Sequence, residues 1–385
     1  MKHALHFIVF ILSFFAFSVY AQPIVYVTES GAGLKNGTNW SNAYDNTQFQ
    51  VAIDQAASLA TVANPAQVWV ARGMYQPARF NYYGLRNNVA VYGGFAGNEI
   101  SLNQRNYLVN ACKIVENDPG VGISMKNIDV NQTAILDGFV FTNHGDIAQR
   151  SMIKNEANTT DCKPQIRNCT FTEMYGGGGN YAISSYSGNG WECSPSYSNC
   201  VVTKIYGGLF IAGCSADGNG SKVAPQYVNC IFSQNNSSYS VVVNDALNGG
   251  SAKSTFTNCL FYTNTSTQPN LNSGGAFTNR VYGSNAEAIS TFNNCTLVGN
   301  FASGTTGGAI YNYKDMNATG GTCKSIVRNS IIWNNIAQGV SSQIGNSANA
   351  SADVQYSDIE GGYAGIGNIA ANPQFIDQYP SGTNL

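Results

Sequence analysis

The chain has 385 residues, a formal net charge of −2 and only 10% charged residues, well below the roughly 25% of an ordinary soluble domain. A surface with so little charge has no strong field of either sign, which argues against nucleic acid and acidic lipid as partners. Glycine (41 residues), tyrosine (22) and phenylalanine (19) are abundant, and this composition favours strands and turns over helices.

The first 21 residues have the features of a secretory signal peptide. Lys2 supplies a positive start, residues 7–17 form an apolar run, and residues 19–21 (VYA) form a small-residue cleavage pattern. The apolar run is too short to span a bilayer. We therefore predict that residues 1–21 are removed and that the protein is secreted or reaches the cell surface or outer membrane. No later stretch predicts a transmembrane segment.

Residues 22–80 are predicted to form the N-terminal end of the fold, with a strand and a helical cap. Within them, Gln48–Leu59 (QFQVAIDQAASL) places apolar residues mostly at helical spacing. These apolar residues are Phe49, Val51, Ile53, Ala56 and Leu59. A short amphipathic helix here would cover the open end of the strand stack that follows.

An eight-residue motif then recurs about every 30 residues. STFTNCLF (254–261) returns as STFNNCTL (290–297). Related copies end at Phe171, Val202, Phe232 and, with serine in place of cysteine, Ile332. A period this short cannot form a domain by itself and matches one turn of a solenoid.

The repeats predict the fold class. Strands of successive turns would stack in parallel about 4.8 Å apart, with glycine pairs such as Gly274-Gly275 and Gly307-Gly308 at corners. We therefore predict an all-β chain: a single right-handed parallel β-helix over residues 81–377 with a short N-terminal capping helix. Residues 378–385 would form a C-terminal tail.

Five of the six copies carry Asn-Cys at the centre and the sixth carries Asn-Ser, which indicates a structural ladder. We expect the asparagines to point inward at a bend and to hydrogen-bond along the stack, because an inward amide is costly unless paired. We expect the cysteines to pack as small apolar groups, since a disulfide framework has no reason to be periodic. The members are Asn168, Cys169, Asn199, Cys200, Asn229, Cys230, Asn258, Cys259, Asn294, Cys295 and Asn329.

Five more cysteines fall outside that register, namely Cys112, Cys162, Cys193, Cys214 and Cys323. In an exported chain such cysteines could form disulfides, and the sequence leaves their pairing open. The thiols of the ladder lie in a column without histidine partners or Cys-x-x-Cys spacing, so they do not indicate a metal site.

Several segments together resemble a known group. VYVTESGAGLKNGTNWSNAY, VAVYGGFAGNEISLNQRNY, ILDGFVFTN and GNIAANPQFID resemble landmarks of bacterial right-handed parallel β-helix proteins of the pectin-lyase-like superfamily. The GGA-[FI] and F-x-x-N segments resemble polymorphic outer membrane protein repeats. The resemblance spans about residues 24–377 and implies the fold. Many relatives continue into an anchoring domain; this chain ends at Leu385, so its anchoring and completeness stay open.

The resemblance also implies an enzymatic alternative, because β-helix enzymes of this superfamily usually act on polysaccharides. Lyases use an Arg or Lys base, often with Ca²⁺ held by carboxylates, and hydrolases use clustered Asp residues. Here the 21 acidic residues are scattered. Asp358 and Glu360 are the catalytic candidates, because two residues apart on a strand they share a face; solvated end-of-coil residues are their plainer interpretation. Ca²⁺ is expected only under this alternative, and no other cofactor is indicated.

The stretch from residue 175 to residue 206 is the least core-like part of the predicted solenoid. Aromatic rings on a glycine-rich loop offer flat faces to sugar rings. The candidates for ligand contact are Tyr175, Tyr181, Tyr186, Trp191 and Tyr206. Packing of some of them in the core is the alternative.

Three functions stay open. The first is an exported, non-catalytic interaction protein, adhesin-like or glycan-binding, with a polysaccharide or cell-surface molecule as partner. The second is sugar binding through the aromatic residues, and the third is a polysaccharide lyase or glycoside hydrolase. A groove that gathers two carboxylates and one Arg or Lys would favour the enzyme, whereas a featureless polar face would favour the interaction protein.

Overall fold

The computed structural model describes residues 21–116, 122–144, 151–175, 181–269, 273–304 and 307–376. In these residues the chain folds into one right-handed parallel β-helix with a short N-terminal helix, which is the fold class that the sequence predicts. No helix in this part of the chain is long and apolar enough to cross a membrane. The predicted C-terminal tail and nearly all of the predicted signal peptide lie outside the described residues.

Three faces, which we call sheets 1, 2 and 3, make up each coil. Sheet 1 is the longest. Its strands, in spatial order, are Ile24–Val27, Ala66–Ala71, Val89–Phe95, Ile135–Asp137, Gln165–Arg167, Ser196–Ser198, Gln226–Val228, Ser251–Thr257, Glu287–Asn293, Thr322–Arg328 and Ser351–Gln355. The short strands Glu192–Cys193 and Lys222–Val223 extend it at one side. Three strands lie before residue 81 (Ile24–Val27, Ala66–Ala71 and Gly73–Tyr75), so the segment predicted as a cap already belongs to the coil stack.

Sheets 2 and 3 follow at the two other sides of the coil. Sheet 2 contains Gly73–Tyr75, Cys112–Glu116, Phe139–His144, Thr170–Tyr175, the first part of Val201–Asp217, Ile231–Ser233, Leu260–Tyr262, Thr296–Val298, Ile331–Trp333 and Asp358–Ile359. Sheet 3 contains Ile123–Ile128, Ser151–Ala157, Tyr181–Ser187, the second part of Val201–Asp217, Asn236–Leu247, Phe277–Tyr282, Ile310–Lys314 and Ile344–Asn346. Short strands at Thr265–Ser266, Phe301–Ala302, Ile336–Ala337 and Val340–Ser341 lie at the corner between them.

The helix α1, Phe49–Leu59, follows a 3₁₀ turn at Asn46–Gln48 and packs against the first strands. Further 3₁₀ turns lie at Trp40–Asn42 and Leu102–Gln104. The buried residues of α1 are Phe49, Ala52, Ile53 and Ala56. The predicted amphipathic helix is present, but two of the five apolar residues named for it, Val51 and Leu59, lie outside its buried stripe and are 50% exposed; the stripe runs through Ala52 instead.

Aromatic rings stacked from coil to coil fill the core. Tyr197, Tyr227, Phe256 and Phe292 form one column, with successive ring centroids 5.0, 4.9 and 5.0 Å apart. These spacings match the separation of neighbouring strands, so one inward position repeated in each coil produces a continuous stack. No ring of this column is more than 3% exposed.

The Asn of each Asn-Cys motif lies at the corner between sheets 1 and 2. The six asparagines have φ between 51° and 53°, the left-handed region that asparagine tolerates better than most residues. Amide Nδ2 donates to the preceding Oδ1 from Asn199 to Asn168 (3.2 Å), from Asn229 to Asn199 (3.2 Å) and from Asn258 to Asn229 (3.3 Å). The expectation that the side chains point inward is wrong. The five from Asn199 to Asn329 are exposed, because the left-handed corner turns the side chain outward.

Replacing Asn229 tests why the corner needs this residue. Asn229→Ala is expected to lower the free energy of unfolding by about 1–2 kcal/mol, since alanine carries a Cβ penalty in the left-handed region. Asn229→Gly keeps the φ angle without that penalty and is expected to lose less. Equilibrium urea unfolding of both variants measures the difference. An Asn229→Gly protein as unstable as Asn229→Ala would show that backbone conformation is not the reason.

All ten cysteines are buried and unpaired. Of the five outside the Asn-Cys register, Cys162 and Cys193 lie in register on neighbouring coils. Parallel strands about 4.8 Å apart hold such side chains farther apart than the Cβ separation of about 3.8 Å that a disulfide prefers. Burial raises the pKa of Cys112 and Cys323 to about 12, so these thiols stay protonated.

The burial of the thiols predicts the result of a thiol titration carried out without reductant. The native protein is expected to react slowly with a thiol-specific reagent such as Ellman's reagent, because none of the thiols is accessible. After unfolding in guanidinium, all ten should react. A count of eight would instead mean one disulfide and would contradict the unpaired state of the ten thiols; mass spectrometry would then locate it.

Candidate functional site

A groove of about 530 Å³ opens on the outer side of sheet 3. It crosses the strands Ser151–Ala157, Tyr181–Ser187, Val201–Asp217 and Asn236–Leu247. Its lining residues are Ile123, Ser151, Lys154, Tyr181, Ser184, Ser185, Tyr186, Gly213, Cys214, Ser215, Val243 and Asp245.

The groove exists because side chains on the outer side of the sheet become small in two successive coils. One outward column runs through Lys154, Ser184, Gly213 and Val243. A Cβ atom added to Gly213 would lie 3.1 Å from the Tyr181 ring and 3.3 Å from Val243 Cγ1. The missing side chain at Gly213 therefore gives the groove its depth.

The interior side of the same strands changes at the same place. A buried amide ladder runs along the inner side of sheet 3, with Nδ2–Oδ1 distances of 2.9 Å from Asn127 to Asn155, 3.0 Å from Asn244 to Asn279 and 2.7 Å from Asn279 to Asn312. Between Asn155 and Asn244, the register places Ser185 and Cys214. The ladder is thus interrupted directly beneath the groove.

Two hydroxyl groups have no partner, that of Ser184 on the groove side of the sheet and that of Ser185 on the inner side beneath it. Ser184 Oγ and Ser185 Oγ are buried and make no hydrogen bond with the described residues, although each hydroxyl can both donate and accept. Leaving a buried hydroxyl without a partner costs free energy of the order of 1–3 kcal/mol. Cys214 beside them is engaged, since its Sγ donates to Asn244 Oδ1 at 2.8 Å, and burial raises its pKa, so it is held as a neutral thiol.

One cluster of charges lies at the N-terminal side of the groove. Glu156 pairs with Lys126, with an N–O distance of 2.6 Å, and with Lys154. Burial alone would raise the pKa of Glu156, but the hydrogen bonds from the two lysines outweigh it and the pKa is lowered. The carboxylate is therefore ionised and each ammonium group has a counter-ion.

A second cluster lies at the other side. Asp245 accepts hydrogen bonds from Nε (2.5 Å) and Nη2 of Arg280. The guanidinium carbon lies 4.6 Å from the ring centroid of Phe210 and 5.6 Å from that of Tyr239. Burial works to lower the pKa of Arg280, but Asp245 outweighs burial and the pKa is raised.

The two carboxylates are too far apart to act on one bond. Glu156, Tyr186, Ser215 and Asp245 follow one another in register on four neighbouring strands, so Glu156 and Asp245 are about 14 Å apart along the stack. Two-carboxylate glycoside hydrolysis uses separations of about 5 to 9.5 Å. Nor do these residues fit a Ca²⁺ site, since each carboxylate is committed to an ion pair and no group of three or more His, Cys, Asp or Glu side chains gathers in the described ranges.

The structure brings together two of the five aromatic residues predicted to contact a ligand. Tyr181 and Tyr186 line the groove, and Tyr186 is 37% exposed. Tyr175 and Tyr206 lie on sheet 2, where their rings stack with centroids 5.4 Å apart. Trp191, 41% exposed, lies in the loop after the strand Tyr181–Ser187.

The predicted catalytic candidates lie far from this groove, in the last coil. Asp358 Oδ1 accepts a hydrogen bond from the N–H of Ala371 (3.0 Å). Glu360 Oε2 accepts from the N–H of Asn334 (2.9 Å) and from Nε2 of Gln343 (2.7 Å). A cavity of about 310 Å³ beside Asp358 has no Lys or Arg among its lining residues. The contacts of both carboxylates are those of residues that close the end of the coil stack.

Sequence reasoning missed the charged residues of the groove. Lys126 and Lys154 are in register on neighbouring coils, as are Asp245 and Arg280. Their separations in the chain, 28 and 35 residues, are close to the coil period. Charged residues repeated at that period were therefore a usable signal.

The ion pairs of Glu156 are expected to make the effect of replacing this residue on thermal stability depend on pH. The pKa of Glu156 is lowered from 4.5 in the folded chain, so its pairs stabilise the protein above pH 4.5, and this stabilisation is lost as the pH falls through the lowered pKa. Glu156→Gln is therefore expected to have a lower thermal midpoint than the unmodified chain at pH 7 and to approach it under acid conditions. A midpoint difference independent of pH would contradict the ion-pair assignment.

Comparison with known proteins gives likeness in fold only. No family model matches the chain, and no curated protein matches it. Among solved structures, the chain is similar to pectate lyase Pel9A at 12% identity and a TM-score of 0.43, over 86% of this chain and 79% of that chain. It is also similar to the A-module of the Azotobacter vinelandii mannuronan C-5 epimerase AlgE6 at 13% identity and a TM-score of 0.24, over 84% and 96%. The resemblance to polymorphic outer membrane protein repeats stays a prediction.

Proposed function

We propose that this chain is an exported glycan-binding protein, without catalytic activity, and that the groove of sheet 3 holds a stretch of polysaccharide. The observation that carries the proposal is the Ser184 hydroxyl, which has no partner among the described residues and lies on the outer side of the sheet between the tyrosines Tyr181 and Tyr186. Export is inferred from the predicted signal peptide.

The chemistry of the groove suits a sugar chain. A sugar hydroxyl can donate to or accept from the Ser184 hydroxyl, which would recover the free energy that this unpartnered group costs. Tyrosine rings offer apolar faces to the C–H surfaces of sugars and a phenol hydroxyl at the edge. The open shape along the coil axis suits a polymer better than a small molecule that must be enclosed.

Binding without cleavage is favoured by the state of the charged groups. A lyase needs a basic group that can take up a proton. Lys154 is held in an ion pair with Glu156 and Arg280 in one with Asp245, so neither side chain is free to take up a proton from a sugar ring. Hydrolysis by two carboxylates is disfavoured by the separation of about 14 Å between Glu156 and Asp245.

A polysaccharide lyase or glycoside hydrolase is the second candidate. One observation favours it: Lys154 and Asp245 both line the groove, and Glu156 and Arg280 lie on the same outer side of sheet 3. The enzyme alternative requires a groove that gathers two carboxylates and a basic residue, and this groove has these residue types at or beside it. A rearrangement that breaks the Lys154–Glu156 pair on binding would be needed to free a base.

A panel of acidic and neutral polysaccharides tests both candidates. Binding of the purified mature chain is measured by calorimetry or affinity electrophoresis, and reducing-end and unsaturated-product release is measured on the same samples with and without Ca²⁺. We expect binding to at least one polysaccharide and no product above a heat-inactivated control. Product release would support the second candidate instead.

Tyr186→Ala and Tyr356→Ala provide a matched pair for the binding arm. Both tyrosines are exposed, 37% and 57% respectively, but Tyr356 lies in the last coil, away from the groove. We expect Tyr186→Ala to weaken binding and Tyr356→Ala to leave it unchanged, with equal thermal midpoints for both. Equal affinity of the two variants would place the ligand outside the groove.

A further inference from the structure

The outer side of sheet 2 carries an uncharged column through seven successive coils. The column contains Val140, Thr170, Val201, Ile231, Leu260, Thr296 and Ile331 in register. All are half-buried by their own neighbours. A second outward column beside it contains Thr172, Thr203, Ser233, Tyr262, Val298 and Trp333. We call these two columns the uncharged face.

Opposite charges terminate the first column. Lys113 is in register with Val140 at the N-terminal end, and Asp358 is in register with Ile331 at the C-terminal end. Ile231 is the central residue, because four strand steps separate it from Lys113 and four separate it from Asp358. The arrangement of charge is therefore antisymmetric about Ile231.

We propose that the uncharged face is the interface of a two-fold symmetric dimer of this chain, with the two β-helices antiparallel and the symmetry axis at Ile231. A two-fold axis along the strand direction reverses the order of the coils. Lys113 of one copy then faces Asp358 of the second copy at both ends of the interface. At the centre, Ile231 of one copy faces Ile231 of the second copy. A parallel arrangement would bring the two Lys113 side chains together and is disfavoured by their repulsion.

A second copy is the partner that this face fits best. If a different protein with an ordinary charged surface bound to this apolar and hydroxyl-bearing face, its charged groups would be desolvated without an ion-pair partner. A second copy presents the same uncharged positions along both columns, with complementary charges where the first column ends; the exposed Glu173 and Lys204 border the second column at its edge, where they stay in solvent.

The size of the face sets the expected affinity. Eight strand spacings from Lys113 to Asp358 give a length of about 38 Å, and two columns of side chains make an area of roughly 500 Å² per copy. That lies at the low end for specific interfaces. The dimer is therefore expected to be weak and to form only at micromolar concentration or above. It leaves the groove open, since the groove lies on sheet 3.

Sedimentation velocity over a series from low micromolar to several hundred micromolar tests the proposal. The unmodified chain should pass from monomer to dimer. Lys113→Asp should raise the dissociation constant by about tenfold or more, because it faces Asp358 of the second copy with like charge. The double variant Lys113→Asp with Asp358→Lys should restore most of the affinity, and sodium chloride should weaken the dimer of the unmodified chain.

Controls separate this interface from general charge effects. Lys253→Asp changes an exposed lysine on sheet 1 and should leave the dissociation constant unchanged. Ile231→Lys should abolish the dimer, whereas Val228→Lys, at a 38% exposed position on sheet 1, should not; thermal midpoints confirm that each variant is folded. If Ile231→Lys does not fold, the charge-exchange pair decides alone. A chain that stays monomeric throughout, or a dimer that the double variant does not restore, would overturn the proposal.

Discussion

Phe256→Ala is expected to lower the free energy of unfolding by about 3–5 kcal/mol, the range for removing a fully buried phenylalanine. Phe256 is fully buried and stacks on Tyr227 at 4.9 Å and on Phe292 at 5.0 Å. It also meets the edges of Phe261 and Phe277. The truncation leaves a cavity between rings of three successive coils, and rigid strands on each side limit how far they can close it.

Equilibrium denaturation with urea measures this loss. Phe301→Ala is the matched control, since Phe301 is a 37% exposed phenylalanine on the outside of the same coil stack, and it is expected to cost less than about 1 kcal/mol. Because each coil contacts only its neighbours, the loss at Phe256 should also broaden the transition. Equal effects of the two variants would show that the column of rings is not the main source of core stability.

Gly213→Val is expected to abolish polysaccharide binding while the chain stays folded. The first atom of the new side chain would lie 3.1 Å from the Tyr181 ring, so the ring must move and the larger valine fills the floor of the groove. Gly213→Ala should give a smaller loss. We expect an affinity decrease of at least tenfold for valine, about 1.4 kcal/mol.

Ser198→Val is the matched control for this change. Ser198 lies on a strand of sheet 1 with its side chain on the outer side, in register with Arg167 and Val228. A β-branched residue is well tolerated on such a strand, so binding and thermal midpoint should both be unchanged. Binding by Gly213→Val with the affinity of the unmodified chain would rule out the groove as the site.

The repeat could be predicted from the sequence because one motif carries both of its determinants. An asparagine that tolerates the left-handed corner and a small buried residue after it recur in six successive coils, as in Asn229-Cys230 and Asn258-Cys259. The predicted direction of the asparagine side chain was wrong. Alternation along a strand predicts an inward side chain, but it does not apply across a corner residue with positive φ.

The groove could be predicted only in part. Tyr181 and Tyr186 were candidates because aromatic residues stand out in a glycine-rich stretch, yet neither Ser184 nor Gly213 belongs to a recurring motif. Their effect depends on the register between strands that lie 29 residues apart in the chain. An insertion of one residue in the intervening loop would have moved every pair to another column. Charged pairs such as Asp245 and Arg280 differ, because their separation of 35 residues is close to the coil period and could have indicated them.

A crystal structure of the chain with the oligosaccharide that binds most tightly in the panel tests the central claim most directly. We expect sugar rings in the groove of sheet 3, with a hydroxyl group within hydrogen-bond distance of Ser184 and with the Lys154–Glu156 and Asp245–Arg280 pairs intact. Sugar rings bound elsewhere, with the groove unchanged, would contradict it.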